Sequence, residues 1–188
     1  MLVLASTSPR RQQLLADAGL AFLVDAPDVE EWNAASHPEL SPAELARFNA
    51  GRKAQEVSLR FPEAIVLGAD TVVTCEGKVL GKPADLPEAH RMLEWLSGKT
   101  HEVITGISFV RRSERVCTES IVRSWVTFRV LDQMGIEAYL EKVHVLDKAG
   151  GYALQEYGDM IVERFEGSKT NIIGLPMETV LKYLHNHP

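Results

Sequence analysis

An aspartate interrupts one of the most apolar stretches of the chain. Asp70 follows the run at residues 65–69 and precedes residues 71–73, so its carboxylate falls among side chains that we expect to be buried. A buried carboxylate is unfavourable unless it is ion-paired, hydrogen-bonded or bound to a metal ion. Asp70, at the end of a predicted strand, is therefore a candidate catalytic residue. An aspartate that caps a turn through its own backbone would explain the same pattern.

A second signal lies at the start of the first predicted helix. Ser8 and Pro9 are a typical N-cap and first helical residue, yet Arg10 and Arg11 then occupy the first turn. Positive charge there opposes the helix dipole, at about 0.3–1 kcal/mol per charge. A phosphate bound by backbone N–H groups, two hydroxyls and the two guanidinium groups would explain the arrangement. Two solvated surface arginines would explain it about equally well.

Two lysines could bring further positive charge to an anionic substrate. Lys53 shares the inner stripe of a predicted helix with Ala46, Ala50 and Val57, and Lys82 follows a predicted hairpin. A lysine in such a position usually extends to solvent, but it could also hold a phosphate as a point charge. The residues alone leave both interpretations open.

The overall composition is that of an acidic globular protein. The 188 residues are enough for one domain with a hydrophobic core, and the net charge of −6 argues against sequence-independent nucleic-acid binding. No signal-peptide pattern and no membrane-spanning apolar stretch is present. Cys75 and Cys117 lie in apolar segments without metal-binding spacing, which predicts buried free thiols. We therefore expect a cytoplasmic protein without a membrane or nucleic-acid partner.

Alternating strands and helices must position these residues. The predicted strands cover residues 2–5, 65–69, 71–75, 78–80, 103–111 and 116–130, with a further hairpin over 160–173. The predicted helices cover about residues 9–18, 42–59, 89–96, 134–142 and 177–184, and residues 25–40 are a predicted loop. Val122, Val126, Phe128 and Val130 share one parity, which predicts one buried strand face. The result is a mixed α/β fold.

Taken together, the segments resemble the Maf family of nucleotide pyrophosphatases. The matching pieces are LASTSPRR at 4–11, VEE at 29–31, GADT at 68–71, GKP at 81–83, LSGKTH at 96–101, DKAGGY at 147–152 with Gln155, and GLP at 174–176. They occur in family order and span nearly the whole chain. The resemblance implies a single Maf-like nucleotide pyrophosphatase domain over residues 1–188.

The same resemblance implies a fold, an activity and a cofactor. The family fold is an elongated α/β structure with a mixed β-sheet, flanking helices and a cleft between two lobes, and it is related to the inosine triphosphate pyrophosphatases. Its members hydrolyse a nucleoside triphosphate to the monophosphate and pyrophosphate, typically with the divalent cations Mg²⁺ or Mn²⁺. Many are homodimers, and the family is associated with the cleaning of nucleotide pools.

The resemblance also implies roles for individual residues. Asp70 matches the catalytic carboxylate, acting as base or metal ligand, and Glu31 matches the second acidic residue of the metal site. The positions that match the family's phosphate- and sugar-binding residues are Ser6, Ser8, Arg10, Arg11, Lys53 and Lys82.

Base preference separates two branches of the family. One branch acts on dTTP and UTP and carries GADT with a Tyr-x-x-Gln segment, as this chain does, whereas the other prefers 7-methyl-GTP. Arg11, Thr71 and Gln155 are predicted to set base choice, since a glutamine amide can donate to and accept from a pyrimidine edge. Glu156 stands where the first branch usually has glycine. The alternatives are the same reaction on 7-methyl-GTP or a modified nucleotide, and a non-catalytic nucleotide-binding regulator of cell division.

Overall fold

The computed structural model describes residues 1–187, which form one mixed β-sheet flanked by helices. The strands are β1 (Leu2–Ala5), β2 (Phe22–Val24), β3 (Ile65–Cys75), β4 (Lys78–Leu80), β5 (Thr100–Arg111), β6 (Val116–Phe128) and β7 (Val162–Glu166). The helices are α1 (Pro9–Asp17), α2 (Pro42–Ser58), α3 (Leu86–Leu96), α4 (Gln133–Leu140), α5 (Gly158–Ile161), α6 (Lys169–Ile173) and α7 (Met177–Asn186). A short 3-10 helix, Ala149–Gly151, precedes α5.

The sheet is parallel at one edge and antiparallel elsewhere. Its strand order is β2-β1-β3-β5-β6-β7, and β4 pairs with β3 off this path. Strand β1 runs parallel to both β2 and β3, whereas the long strands β3, β5 and β6 pair in antiparallel fashion. The predicted mixed α/β sheet with flanking helices is therefore confirmed.

Hydrophobic side chains pack on both faces of this sheet. Leu2 and Leu4 of β1 belong to a cluster that includes residues of α1 and α7, whereas Val3 and Ala5 belong to a cluster under α2. This division follows from the alternation of side chains along a strand. Among residues 1–187, no helix combines the length and apolar character that crossing a membrane requires.

Asp70 lies inside a strand, and the prediction of two separate strands around it was wrong. Strand β3 continues through Asp70, which pairs with Gly106 of β5. An extended backbone tolerates a buried carboxylate when that carboxylate finds partners, so the polar residue did not require a turn. Asp70 consequently projects from the middle of the sheet, and the turn-capping interpretation is wrong as well.

The predicted hairpin at residues 160–173 is only half correct. Strand β7 pairs with the end of β6, but the segment after it forms the short helix α6 instead of a return strand. Ser168 explains this start, because its hydroxyl accepts a hydrogen bond from the Asn171 backbone N–H, as an N-cap does. A propensity for β-structure in this segment was outweighed by that cap and by tertiary packing.

Three burial predictions for the segment around β6 were wrong in whole or in part. Val126 and Phe128 are buried as expected, but Val122 is only half-buried, and Val130 lies beyond the end of the strand and is exposed. Cys117 is exposed, whereas Cys75 is a buried free thiol as predicted. Strand β7 pairs only with the last residues of β6, so the earlier part of that strand lies at an open edge.

Helix α2 packs unusually close to the sheet, and two glycines make this possible. A Cβ atom on Gly68 of β3 would lie 2.2 Å from the Ala50 carbonyl oxygen and 2.9 Å from the Ala54 nitrogen. On β5, a Cβ atom on Gly106 would lie 2.4 Å from the Ala46 carbonyl oxygen. Backbone atoms of α2 thus touch the sheet directly, and side chains on its inner face reach the neighbouring strands.

A buried histidine lies in the aromatic part of the core. His101 Nε2 and the Tyr152 hydroxyl are 2.8 Å apart, and the ring packs edge-on against Tyr152 and Phe128. Burial lowers the pKa of His101 to about 4. The ring is therefore neutral at neutral pH, and protonating it in place would destabilise the folded state.

We expect the substitution Gly68→Ala to lower the free energy of unfolding by about 1–3 kcal/mol or more, because the new methyl group meets helix backbone that cannot rotate away. Urea unfolding would measure the change. The matched control is Gly81→Ala, since a Cβ atom there has no neighbour within 4 Å. Equal stability of the two variants would contradict the close approach of α2.

We expect His101 to make the protein less stable as pH falls from about 6.5 to 4. The unfolded histidine binds a proton in this window while the buried ring does not, because its pKa is lowered to about 4. Relative to neutral pH, this difference in proton binding costs the folded state about 3 kcal/mol once the pH falls below 4. The stability difference between wild type and His101→Gln, measured by urea unfolding across this range, should shrink toward pH 4; a constant difference would contradict the lowered pKa.

Candidate active site

A cleft of about 950 Å³ opens where β1, α1 and β3 meet the loop at residues 25–40 and the segment around residues 144–155. The structure brings all the site residues predicted from the sequence to this cleft. They are Ser6, Ser8, Arg10, Arg11, Glu31, Lys53, Asp70, Thr71, Lys82 and Gln155.

Lys53 lies between the two predicted acids. Its ammonium group is 2.7 Å from Asp70 Oδ1 and 2.6 Å from Glu31 Oε1. The Lys53 side chain is 6% exposed and that of Asp70 is 12% exposed, whereas the Glu31 side chain is 45% exposed. Lys53 therefore does not extend to solvent, because α2 directs it toward β3 and its charge is neutralised by carboxylates.

The ammonium group of Lys53 also determines the charge of Glu31. Partial burial alone would raise the pKa of the Glu31 carboxyl, but the charge and hydrogen bond of Lys53 overcome this effect, with further help from Lys82 and Arg11. The net result is a pKa below the usual value. Glu31 is therefore ionised at neutral pH.

Asn49 is a site residue that the sequence analysis missed. Its amide Nδ2 donates to Asp70 Oδ2 at 3.2 Å and to the Trp32 carbonyl oxygen at 2.8 Å. Its Oδ1 accepts from the Trp32 backbone N–H at 2.8 Å. The signal was present in the sequence, since Asn49 precedes Lys53 by four residues and so lies on the same helix face.

Arg11 is directed inward and bridges three segments of the chain. It donates to the Gly174 carbonyl oxygen at 2.8 Å, to Ser6 Oγ at 3.2 Å and to Thr71 Oγ1 at 3.2 Å. Burial lowers the pKa of the guanidinium, an effect that the charges of Asp70 and Glu31 partly offset. Two of the three residues predicted to set base choice, Arg11 and Thr71, are thus in direct contact.

Arg10 takes a different direction and joins a chain of charges at the cleft mouth. Its guanidinium is 2.6 Å from Asp147 Oδ2, and the other oxygen of that carboxylate accepts from Lys148 at 2.9 Å. Lys148 is buried and also lies 3.5 Å from Glu156 Oε1. Arg10 and Arg11 therefore diverge, and each has a partner within the protein.

The start of α1 lacks a side-chain cap of the kind found on α2, α3 and α4. Ser8 is the N-cap as predicted, but its hydroxyl makes no capping hydrogen bond, and its backbone N–H donates to Ser6 Oγ at 3.2 Å. By contrast, Ser41, Asp85 and Asp132 cap α2, α3 and α4 through their side chains. The first turn of α1 thus keeps backbone donors facing the cleft, next to Arg10.

Lys82 and Gln155 lie at the rim of the cleft. Lys82 Nζ is 3.9 Å from Glu31 Oε2, and its side chain is 58% exposed. Gln155 is exposed and precedes Glu156, which pairs with the buried Lys148. The side chains of Lys82 and Gln155 can therefore contact a ligand that enters from solvent.

Around Lys53, the carboxylates of Glu31 and Asp70 are oxygen atoms that could bind a divalent cation. Across residues 1–187, no group of three or more histidine, cysteine, aspartate or glutamate side chains is arranged to hold a metal ion. Glu31 and Asp70 converge on one point, which Lys53 shares. This donor set fits a cation such as Mg²⁺, which commonly binds through one or two carboxylates together with substrate phosphates.

Known proteins are similar to this chain in sequence over nearly its whole length. A protein from Symbiobacterium thermophilum named dTTP/UTP pyrophosphatase is 45% identical over 97% of this chain and 92% of its own length. Proteins of the same name from Akkermansia muciniphila and Thermotoga maritima are 45% and 41% identical, over 97% and 98% of this chain and 94% and 88% of their own lengths. Among solved structures, a HAM1 protein from Coxiella burnetii has a TM-score of 0.41 and 21% identity over 66% of this chain and 69% of its own, too distant to bear on function.

The match to a family model covers nearly the same extent. The model described as Maf-like protein aligns with residues 1–187. Because the match spans the described structure from end to end, and because full-length relatives exceed 40% identity, the chain belongs to the Maf family.

Proposed function

We propose that this protein hydrolyses dTTP and UTP to the nucleoside monophosphate and pyrophosphate. The relatives named dTTP/UTP pyrophosphatase support the reaction and the substrates. The observation that carries the proposal in this chain is a nearly buried carboxylate, Asp70, held by Lys53 at the floor of a cleft whose wall is basic. A basic wall attracts the negative charge of a triphosphate, and a carboxylate can accept a proton from the attacking water.

The triphosphate lies along the start of α1 in this proposal. Uncapped backbone N–H groups, the hydroxyls of Ser6 and Ser8, and the charges of Arg10 and Lys82 face this part of the cleft. Charge developing on the leaving pyrophosphate is stabilised by donors already fixed in place. Arg10 binds the phosphates either while its ion pair with Asp147 remains intact or after that ion pair has broken.

Asp70 acts on the attacking water. Lys53 holds Oδ1 and Asn49 holds Oδ2, so the orientation of the carboxylate is fixed before substrate arrives. The Asp70 carboxylate accepts a proton from water as the water oxygen attacks the α-phosphorus, and the bond from that phosphorus to the bridging oxygen breaks. The products are the monophosphate and pyrophosphate, without a covalent intermediate.

Glu31 and Asp70 are the residues that would hold a divalent cation, either Mg²⁺ or Mn²⁺. Such a cation neutralises phosphate charge and lowers the pKa of bound water. Lys53 contacts both carboxylates, so they already face one point of the cleft, where such a cation would bind them.

Base choice is assigned to Thr71, Arg11 and Gln155. Thr71 and Arg11 form one hydrogen-bonded unit in the wall of the cleft, and Gln155 lies at the exposed rim. An amide that both donates and accepts suits the edge of thymine or uracil. The ion pair between Glu156 and Lys148 limits the movement of the chain next to Gln155.

The proposal is tested by measuring pyrophosphate release from dTTP, UTP, CTP, GTP and 7-methyl-GTP. We expect release from dTTP and UTP with Mg²⁺ or Mn²⁺, the monophosphate as co-product, and loss of activity in EDTA. Release from 7-methyl-GTP instead would retain the reaction and overturn the assignment of base choice. Nucleotide binding without any release of pyrophosphate would contradict the proposed enzyme and favour a non-catalytic regulatory protein that binds nucleotides.

We expect Asp70→Asn to lower kcat by about 10²–10⁴-fold, the usual contribution of a general base. Nucleotide binding, measured by calorimetry, should persist because this proposal assigns the triphosphate to the start of α1 and the base to other residues. The control is Glu30→Gln, an exposed acid beside Glu31 that should retain turnover. Near-normal turnover of Asp70→Asn would remove Asp70 from the mechanism.

A further inference from the structure

Asn49 links the two acids of the site through a second route besides Lys53. We propose that Asn49 is a positioning residue that fixes the Asp70 carboxylate and the loop carrying Glu31 as one unit. The inference rests on the proposed function, because it assigns Asn49 a role in the same reaction. Three hydrogen bonds, the burial of the amide and the attachment of the loop support it.

Both the nitrogen and the oxygen of the Asn49 amide have hydrogen-bond partners. Both contacts of Nδ2 are donated, one to Asp70 Oδ2 and one to the Trp32 carbonyl oxygen, and Oδ1 accepts from the Trp32 backbone N–H. Asn49 is 3% exposed. Each N–H of a primary amide can make one such bond, so these partners define a single orientation of the side chain.

The two contacts to Trp32 hold the loop from both sides of one residue. Trp32 follows Glu31 directly, so fixing its N–H and its carbonyl group limits where the Glu31 carboxylate can lie. The Trp32 ring adds to this anchorage, since it stacks on His37 at 4.0 Å and lies under the Arg52 guanidinium at 4.7 Å. The loop is otherwise irregular, and its position depends on such contacts.

An amide suits this position because it both donates and accepts. A leucine of similar size would leave Asp70 Oδ2 without its donor and the Trp32 backbone without a partner. An aspartate would keep the acceptor for the Trp32 N–H, but it would lose the donors and bring a like charge toward Asp70. The two substitutions therefore separate the contact with the loop from the contact with Asp70.

The test compares wild type, Asn49→Leu, Asn49→Asp and the control Ser58→Ala. Ser58 is a buried residue of the same helix whose hydroxyl bonds to Gln55, away from the cleft. The measurements are kcat and KM for dTTP, urea unfolding, and hydrogen exchange of the Trp32 backbone amide. The exchange rate of this amide reports its hydrogen bond to Asn49 directly, and it does not depend on metal or on turnover.

We expect Asn49→Leu to lower kcat by about 10–100-fold, the range that a misplaced catalytic group produces, with a KM change below about threefold. Exchange of the Trp32 amide should accelerate in Asn49→Leu, whereas Asn49→Asp should keep much of the protection and still lose kcat. Ser58→Ala should retain wild-type kinetics.

Wild-type kcat in both Asn49 variants would overturn the inference, as would unchanged Trp32 exchange in Asn49→Leu. A kcat loss matched by Ser58→Ala would assign the effect to general destabilisation and would overturn it too. These outcomes require an active wild type. If wild type released no pyrophosphate, the proposed function would fail, whereas an active wild type with active Asn49 variants would reject this inference alone.

Discussion

Lys53 carries its positive charge into a region from which water is largely excluded. Moving a charge out of water costs several kcal/mol unless opposite charge and hydrogen bonds replace the lost solvation. Asp70 and Glu31 provide that replacement at 2.7 and 2.6 Å. The three groups therefore depend on one another, since removal of any one leaves a charge poorly compensated. Their positions in turn require that α2, β3 and the loop at residues 25–40 meet at one point.

Helix α2 makes this meeting possible because it serves the core and the site at once. Its alanines face Gly68 and Gly106 at backbone contact, while Asn49 and Lys53, one turn apart, reach Asp70. A bulkier interface would have held the lysine too far from the carboxylate. The capping box formed by Ser41 and Glu44 fixes where the helix begins, and hence which residues lie on its inner face.

Much of this site could be predicted from the sequence because its residues break local rules. Asp70 stands out within an apolar run, and Arg10 and Arg11 oppose a helix dipole. The directions of those arginines could not be predicted, because their partners Asp147 and Gly174 lie more than 130 residues away. The continuity of β3 through Asp70 was not predicted because it depends on pairing with the distant strand β5. The helix after β7 was not predicted because a single capping residue, Ser168, outweighed the local β pattern. Asn49 was missed because an asparagine among alanines matches no motif, although its spacing from Lys53 was visible.

The direct contact between α2 and the sheet also limits how the cleft could be redesigned. Because backbone meets backbone at Gly68 and Gly106, the distance between helix α2 and the sheet cannot be reduced by trimming side chains, and any larger side chain at these two positions would push the helix away. Changes in shape are accommodated more easily at the rim, where Gln155 is exposed and Glu156 is held by an ion pair with Lys148. Natural variation or engineering toward a bulkier nucleobase would be expected to act on that rim while leaving the helix and the sheet unchanged.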